Sequence, residues 1–290
     1  MIAKTENREP ETRISLVLGG GGARGLAHIP VLEALDDLGL EPVEIVGSSI
    51  GAIIGSTYAA GMSGVEIRDY VIEMFIRSSD AMARFWKILP RRFLDVFSGV
   101  GLGKIDAERV VEIFLPPILP QRFEDLRLPV TLIATDYYGW AEIDLKSGPL
   151  KPAIAASMAL PAVFRPVMVD DTVMVDGGIS NPLPFDRVTR DNDLVLAVDV
   201  VGGPERRDGE LAPRGVDALF GSIQLMLQSI TREKLKISRP DILLKPDINT
   251  YRVLDFLKAH EILDAAEPMR EEAKRRIDAA LTARAKDGVA

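Results

Sequence analysis

The sequence has no cysteine and only two histidines, His28 and His260, among its 290 residues. Without a thiol there is no disulfide, no zinc ribbon and no cysteine nucleophile. Two histidines are too few for a histidine-rich metal site, and any Ser–His pairing must draw on one of them. Basic charge is short as well: 35 Lys and Arg against 43 Asp and Glu leave a formal net charge of −8. A duplex nucleic-acid binder needs a basic face, so nucleic acid is not expected as a partner. Long apolar runs are also missing. The stretches around 50–62 and 153–169 are broken by Gly, Ser, Pro or Arg, whereas a spanning helix needs roughly 20 largely apolar residues. Met1 to Arg13 is polar and of mixed charge, without the apolar core of a signal peptide. The expectation is a cytoplasmic protein with no metal and no cofactor, contact with a membrane surface remaining open.

Strands alternate with helices along what is present. Ile14–Leu18 reads as a short buried strand, and four glycines, Gly19 to Gly22, follow it. A helix is expected from about Pro30 to Leu38, with proline suited to its first turn and Gly39 to its stop. Val43–Val46 is a second strand, and the small-residue run Gly51–Ala60 reads as a helix ended by Gly61. Residues 62–120 look helical and irregular. Further strand candidates are Val130–Thr135, Ala141–Asp144, Thr172–Val175 and Leu194–Val200. From about Val216 to Lys286 the chain is mostly helical around one short strand at Asp241–Lys245. This alternation indicates an α/β fold with a largely parallel sheet covered on both faces.

Gly47-Ser48-Ser49-Ile50-Gly51 lies between a strand and a helix. In that context a G-x-S-x-G pattern describes a nucleophile on a sharp, strained turn. The register selects Ser49, because Ser48 would need glycines where Val46 and Ile50 stand. The helix that follows aims its N-terminus at Ser49, and its free N–H groups favour a developing anion. The plainer reading is a glycine-lubricated turn with a capping serine.

Gly20-Gly21-Gly22-Ala23-Arg24-Gly25 also satisfies G-x-G-x-x-G, the dinucleotide fingerprint. Two features oppose an oxidoreductase. Pro30 would fall inside the Rossmann helix at a cost of about 3 kcal/mol, and the second strand lacks the acidic residue that holds the ribose. The loop reads better as backbone N–H groups converging on an oxyanion, with Arg24 fixing the loop or adding positive charge.

Neither histidine suits a triad. His260 lies in an amphipathic helical stretch, and His28, just before Pro30, reads as a packing residue. Asp176, at the end of a strand and followed by Gly177 and Gly178, is the stronger partner for Ser49. An ordinary carboxylate is a poor base for a hydroxyl, so burial must raise its pKa. The plainer alternative for Asp176 is an Asx turn.

Taken in order, Gly20–Gly25, Gly47–Gly51 and Asp176–Gly178 resemble the motifs of the patatin-like phospholipases. Within that family the chain is similar to bacterial relatives of the neuropathy target esterase catalytic domain. Ala134-Thr135-Asp136, Ala156–Pro161 and Asn181-Pro182-Leu183-Pro184 extend the resemblance over roughly residues 13–265, leaving a polar tail at 1–12 and a charged C-terminal helix and tail at 266–290. Ala162 and Pro30 stand where many relatives carry glycine. The resemblance implies a three-layer α/β/α sandwich and a Ser–Asp dyad of Ser49 as nucleophile and Asp176 as base. It implies an oxyanion hole from Gly20, Gly21, Gly22 and Arg24, supported by Gly25, Gly47, Gly51, Gly177 and Gly178. It also implies hydrolysis of phospholipid, lysophospholipid or related acyl esters. The rival from another class is a catalytically silent lipid-binding or regulatory module on the same fold. Finally, Arg84 to Phe97 mixes Arg84, Lys87, Arg91 and Arg92 with Phe85, Trp86, Phe93 and Phe97. This segment suits peripheral membrane contact, a lid over the acyl pocket, or a satellite core.

Overall fold

Five apolar-rich residues flanked by a polar tail and by glycines, Ile14–Leu18, form β1, and all five are buried. The computed structural model describes residues 13–77, 105–189, 194–206, 211–213 and 215–287. Seven further strands join β1: β2 (Glu44–Ser48), β3 (Val130–Asp136), β4 (Ala141–Leu145), β5 (Val167–Val169), β6 (Thr172–Asp176), β7 (Leu194–Val198) and β8 (Ile242–Leu244). β3, β2, β1, β7 and β8 lie side by side and parallel. β4, β6 and β5 add an antiparallel margin at the β3 side. Near-continuous apolar strands are the mark of a sheet covered on both faces.

The period-2 alternation of β1 divides the core. Ile14, Leu16 and Leu18 enter a large cluster on one face. Val17 faces the other way with Val46, Ile133, Ala197 and Phe185. The first face is covered by α1 (Ile29–Leu38) and α2 (Ile50–Ala59), and by α7 (Ala259–Ala266) and α8 (Pro268–Asp287). On the second, Leu235 of α6 (Gly215–Ile237) packs against the smaller cluster. The remaining helices among the described residues are α3 (Gly64–Ile72), α4 (Ala107–Phe114) and α5 (Leu150–Ser157). The protein is therefore an α/β sandwich with a mostly parallel central sheet.

Local signals account for several boundaries. Pro30 lies in the first turn of α1, and Gly39 ends that helix in the left-handed conformation at φ 63°. Ser63 and Glu66 form a reciprocal capping box at the start of α3. Two elements carry no legible sequence period: β5 has three residues, and α5 is apolar and buried nearly all round, so it shows no amphipathic stripe. Met269, Ala273 and Ile277 of α8 are buried in the large cluster, so the helix beyond residue 265 packs into the same core.

One junction positions the site. Along one edge of β3 runs β4, from Leu132 to Asp136. The opposite edge is shared: β2 ends with Ser48 opposite Ile133, and β6 ends with Asp176 opposite Ala134. One strand runs parallel to β3 and the other antiparallel, so their carboxyl ends meet head-on.

Candidate active site

Ser49 follows β2 directly and is the N-cap of α2, with φ 54° and ψ −121°. A non-glycine residue in this strained region persists only where its surroundings hold it. Gly47 and Gly51 let strand and helix cross: a Cβ on Gly47 would stand 2.6 Å from the Gly51 carbonyl oxygen, and one on Gly51 would strike the Leu18 carbonyl. The Ser49 N–H is donated to the buried Ser157 hydroxyl at 3.0 Å, and the Ser49 hydroxyl to Asp176 Oδ2 at 2.6 Å.

Asp176 is buried and fixed on every side. Its other carboxylate oxygen accepts the Gly178 N–H at 2.7 Å. Its own N–H is donated to the Ala159 carbonyl at 3.1 Å, and its carbonyl accepts the Thr135 hydroxyl at 2.9 Å. A Cβ on Gly177 would meet the Ile133 carbonyl, so the chain leaves the strand only through glycine there. Burial pushes the Asp176 carboxyl up to about 6, while the hydrogen bonds from Ser49 and Gly178 restrain the rise.

The glycine loop runs beside the serine; a Cβ on Gly20 would be 3.2 Å from that of Ser49. Gly19 and Gly20 give their N–H groups to the carbonyls of Val198 and Pro182, at 3.1 and 2.8 Å. The Gly20 N–H is therefore engaged within the protein. The N–H groups of Gly21 and Gly22 have no protein acceptor among the described residues. Gly22 has φ +60°, and a Cβ on Gly21 would lie 2.5 Å from the Val200 carbonyl oxygen. Gly25 gives room to Ile50, whose side chain a Cβ there would strike.

Arg24 takes up the loop-fixing role that the sequence offered for it. Its guanidinium donates to the Val200 carbonyl at 3.3 Å and the Tyr251 carbonyl at 3.1 Å. Gln224 of α6, with its amide oxygen turned inward, accepts from both terminal nitrogens at 2.9 Å. Burial lowers its pKa to about 10, opposed by the nearby charges of Asp199 and Asp255. The cation thus ties the loop to α6 and to the segment around Tyr251, and its charge is engaged there.

Neither histidine is bonded to Ser49 or Asp176. His260 is exposed and pairs with Asp264 at 2.7 Å. His28 is fully buried, and Nε2 lies 2.9 Å from the Gly19 carbonyl oxygen, which leaves Nδ1 without a partner. Burial lowers its pKa to about 4, so it is neutral and its Nε2–H donates to that carbonyl. Among the described residues no group of three His, Cys, Asp or Glu is placed to hold a metal ion.

A cavity of about 260 Å³ opens onto Ser49, Asp176 and Gly20 to Gly22. Its walls are overwhelmingly apolar, with Ile53, Ile54, Val71, Met74, Leu115 and Leu227 among them. Phe75 stacks between Phe114 and Phe256, each ring pair 5.5 Å apart between centroids, and all three rings line the cavity. Sequence reasoning missed Ser157 as a partner of Ser49; its place in a block shared with the family is the one signal that pointed there. The basic-aromatic segment Arg84 to Phe97 lies outside the described residues. No helix among the described residues is long and apolar enough to cross a membrane.

Fold and site together define a class: α/β sandwiches that carry a serine on a strand-to-helix turn against a buried aspartate. The chain belongs to the patatin-like phospholipase family, whose family model matches residues 16–189. It is 37% identical over 202 residues to the uncharacterized NTE family protein Rv1063c of Mycobacterium tuberculosis, covering 67% of this chain and 51% of that one. It is 31% identical over 277 residues to patatin-like phospholipase domain-containing protein 7 of Rattus norvegicus, covering 87% of this chain and 20% of the rat protein. The chain thus spans about half the length of the mycobacterial relative and a fifth of the rat one. Among solved structures, VipD from Legionella pneumophila shares the fold with a TM-score of 0.51 at 13% identity, over 92% of this chain and 67% of that one.

Proposed function

We propose that the protein is a serine acyl-ester hydrolase acting on phospholipid, lysophospholipid or related lipid acyl esters through a Ser–Asp dyad. The observation that carries this reading is the 2.6 Å hydrogen bond from Ser49 Oγ to Asp176 Oδ2 beside an apolar cavity. In the first half-reaction Ser49 Oγ attacks the ester carbonyl carbon and its proton passes to Asp176 Oδ2. The negative charge that develops on the carbonyl oxygen is received by the N–H groups of Gly21 and Gly22, aided by the N-terminal dipole of α2. Collapse breaks the bond to the alcohol, which leaves with the proton held by Asp176. In the second half-reaction Asp176 takes a proton from water, the resulting nucleophile attacks the acyl-Ser49 ester, and Ser49 recovers its proton as the fatty acid leaves.

A carboxyl raised to about 6 is still ionised at neutral pH and is a stronger base than an ordinary aspartate. The apolar walls, including the stacked Phe114, Phe75 and Phe256, suit an acyl chain in place of a polar substituent.

Release of p-nitrophenol from acyl esters tests the reading. Wild type is expected to hydrolyse them, Ser49→Ala to lose at least about a thousandfold in kcat, and His260→Ala to remain active. Loss of activity in His260→Ala with the fold intact, or full activity in Ser49→Ala, would overturn it.

A further inference from the structure

The margin of the sheet carries a row of exposed apolar side chains that the chemistry above does not use. Asp136 pairs with Ala141 on β4 and with Met174 on β6. One residue further out, the Tyr137 N–H is donated to the Val173 carbonyl at 2.9 Å. Val173 in turn pairs with Met168 on β5. Met168 and Val173 are thus joined through the Tyr137 N–H to the turn Tyr137–Trp140 that connects β3 and β4, and the exposed side chains gather at this one margin. Exposure there is high: Trp140 91%, neighbouring Tyr138 75%, Met168 63% and Tyr137 53%.

This is a fixed tip, not a slack loop. One carboxylate oxygen of Asp136 accepts the N–H groups of Tyr138 and Gly139 at 3.1 and 2.8 Å. The Trp140 N–H returns to the Asp136 carbonyl at 3.0 Å, and the two tyrosine rings meet edge to face at 5.0 Å. Trp140 holds a left-handed φ of 55°, a strained conformation for a side chain of this size. A preformed cluster of exposed aromatics is a surface built to meet something.

Chemistry and charge select the occupant. Tyrosine and tryptophan, apolar with one polar group, concentrate at the head-group level of lipid interfaces. The row is built from residues 128–145 and 166–186, neither of which contains a lysine or arginine. Asp136, Asp170 and Asp171 flank it instead, and Arg187 and Lys234, which reach β4, are paired with Glu142 there, so the tip itself carries negative charge and a zwitterionic surface fits it better than an anionic one. The place is right as well. The chain runs three residues past Ala134, the partner of Asp176, to reach Tyr137, the first two of them in β3, which sets the tip about 10 Å beyond that pairing at roughly 3.3 Å per residue. It rises at the carboxyl end of β3, beside the carboxyl end of β2 that leads into Ser49.

We propose that Tyr137, Tyr138, Trp140 and Met168 form an interfacial anchor that seats the carboxyl edge of the sheet on a zwitterionic lipid surface. The choice of lipid as occupant rests on the acyl-ester reading of the site. The test uses Trp86→Phe, which leaves Trp140 as the one tryptophan, combined with Ser49→Ala to prevent turnover. With phosphatidylcholine vesicles, Trp140 emission is expected to shift to shorter wavelength and to be quenched by brominated lipid. Adding Tyr138→Ala and Trp140→Ala is expected to lower vesicle partition about tenfold or more, roughly the change that 1.4 kcal/mol produces. In the active chain the same pair should leave hydrolysis of a monomeric short-chain ester unchanged. Unshifted emission, partition indifferent to these substitutions, or binding confined to anionic vesicles would overturn the proposal. So would a shift that needs no lipid and accompanies a Trp140-dependent dimer, which would make the row a contact between copies. The two readings fail separately. Anchoring without ester hydrolysis by wild type sinks the hydrolase and keeps the anchor, and hydrolysis without anchoring does the reverse.

Discussion

Ser157 and Ser49, 108 positions apart, are joined by a hydrogen bond of 3.0 Å from the Ser49 backbone N–H to the Ser157 hydroxyl. Two residues after Ser157, the Ala159 carbonyl accepts the N–H of Asp176. One short segment at the end of α5 thus grips both Ser49 and Asp176 by their main chains. It holds Ser49 in a conformation that the isolated chain would abandon.

Ser157→Ala should accordingly lower kcat about tenfold with KM little changed, because the cavity walls stay in place while the nucleophile loses its register. The half-buried Ser49 N–H left without an acceptor should also cost about 1 kcal/mol of stability. Steady-state kinetics with a soluble ester, beside thermal unfolding, checks both. An unchanged kcat would reduce Ser157 to packing.

On the proposed chemistry the carboxyl of Asp176 sets the pH dependence. Ionisation is needed for it to accept the serine proton, so kcat/KM should rise with pH, with an inflection near 6 and a plateau above it. Stability runs the other way. The folded state holds this proton more tightly than the unfolded chain, so the stabilisation is full below the ordinary value of 3.8 and is lost as pH rises through about 6. Asp176→Asn should therefore melt at a higher temperature than wild type at pH 8 and lose that advantage at pH 4. A pH-independent difference in Tm, or an activity inflection near 4, would contradict the assignment.

Gly21→Ala should lower kcat by about 10²–10³ and change KM far less, the signature of a lost oxyanion donor. The added methyl would press on the Val200 carbonyl oxygen at 2.5 Å and move the loop away from Ser49. A large rise in KM with kcat preserved would point to a role in substrate binding alone.

Much of the Ser49–Asp176 pairing was legible because its signals are local. The Gly47–Gly51 pentapeptide, lying between a strand and a helix, picked out Ser49, and the strand end followed by Gly177 and Gly178 picked out Asp176. The scarcity of histidine pointed the same way, since His28 is walled into the core and His260 faces solvent. What remained hidden depends on contacts between distant segments. Pro182 captures the Gly20 N–H, and Val200 with Tyr251 captures the Arg24 guanidinium; no pattern within either motif announces these partners. The head-on meeting of β2 and β6 depends on register along β3, which neither strand encodes alone. The aromatic hairpin at Tyr137 to Trp140 was legible as residues but silent as a surface, because exposure is a property of the assembled sheet.

The central claim, that Asp176 activates Ser49 as the nucleophile, is tested most directly by covalent labelling with an alkyl fluorophosphonate, followed by peptide mass spectrometry. The account predicts a single adduct on Ser49 that is absent in Ser49→Ala. In Asp176→Asn it should form at least about a hundredfold more slowly although the fold is kept, as expected when a general base is removed. Labelling of a different serine, or labelling of Ser49 in Asp176→Asn at the wild-type rate, would contradict it.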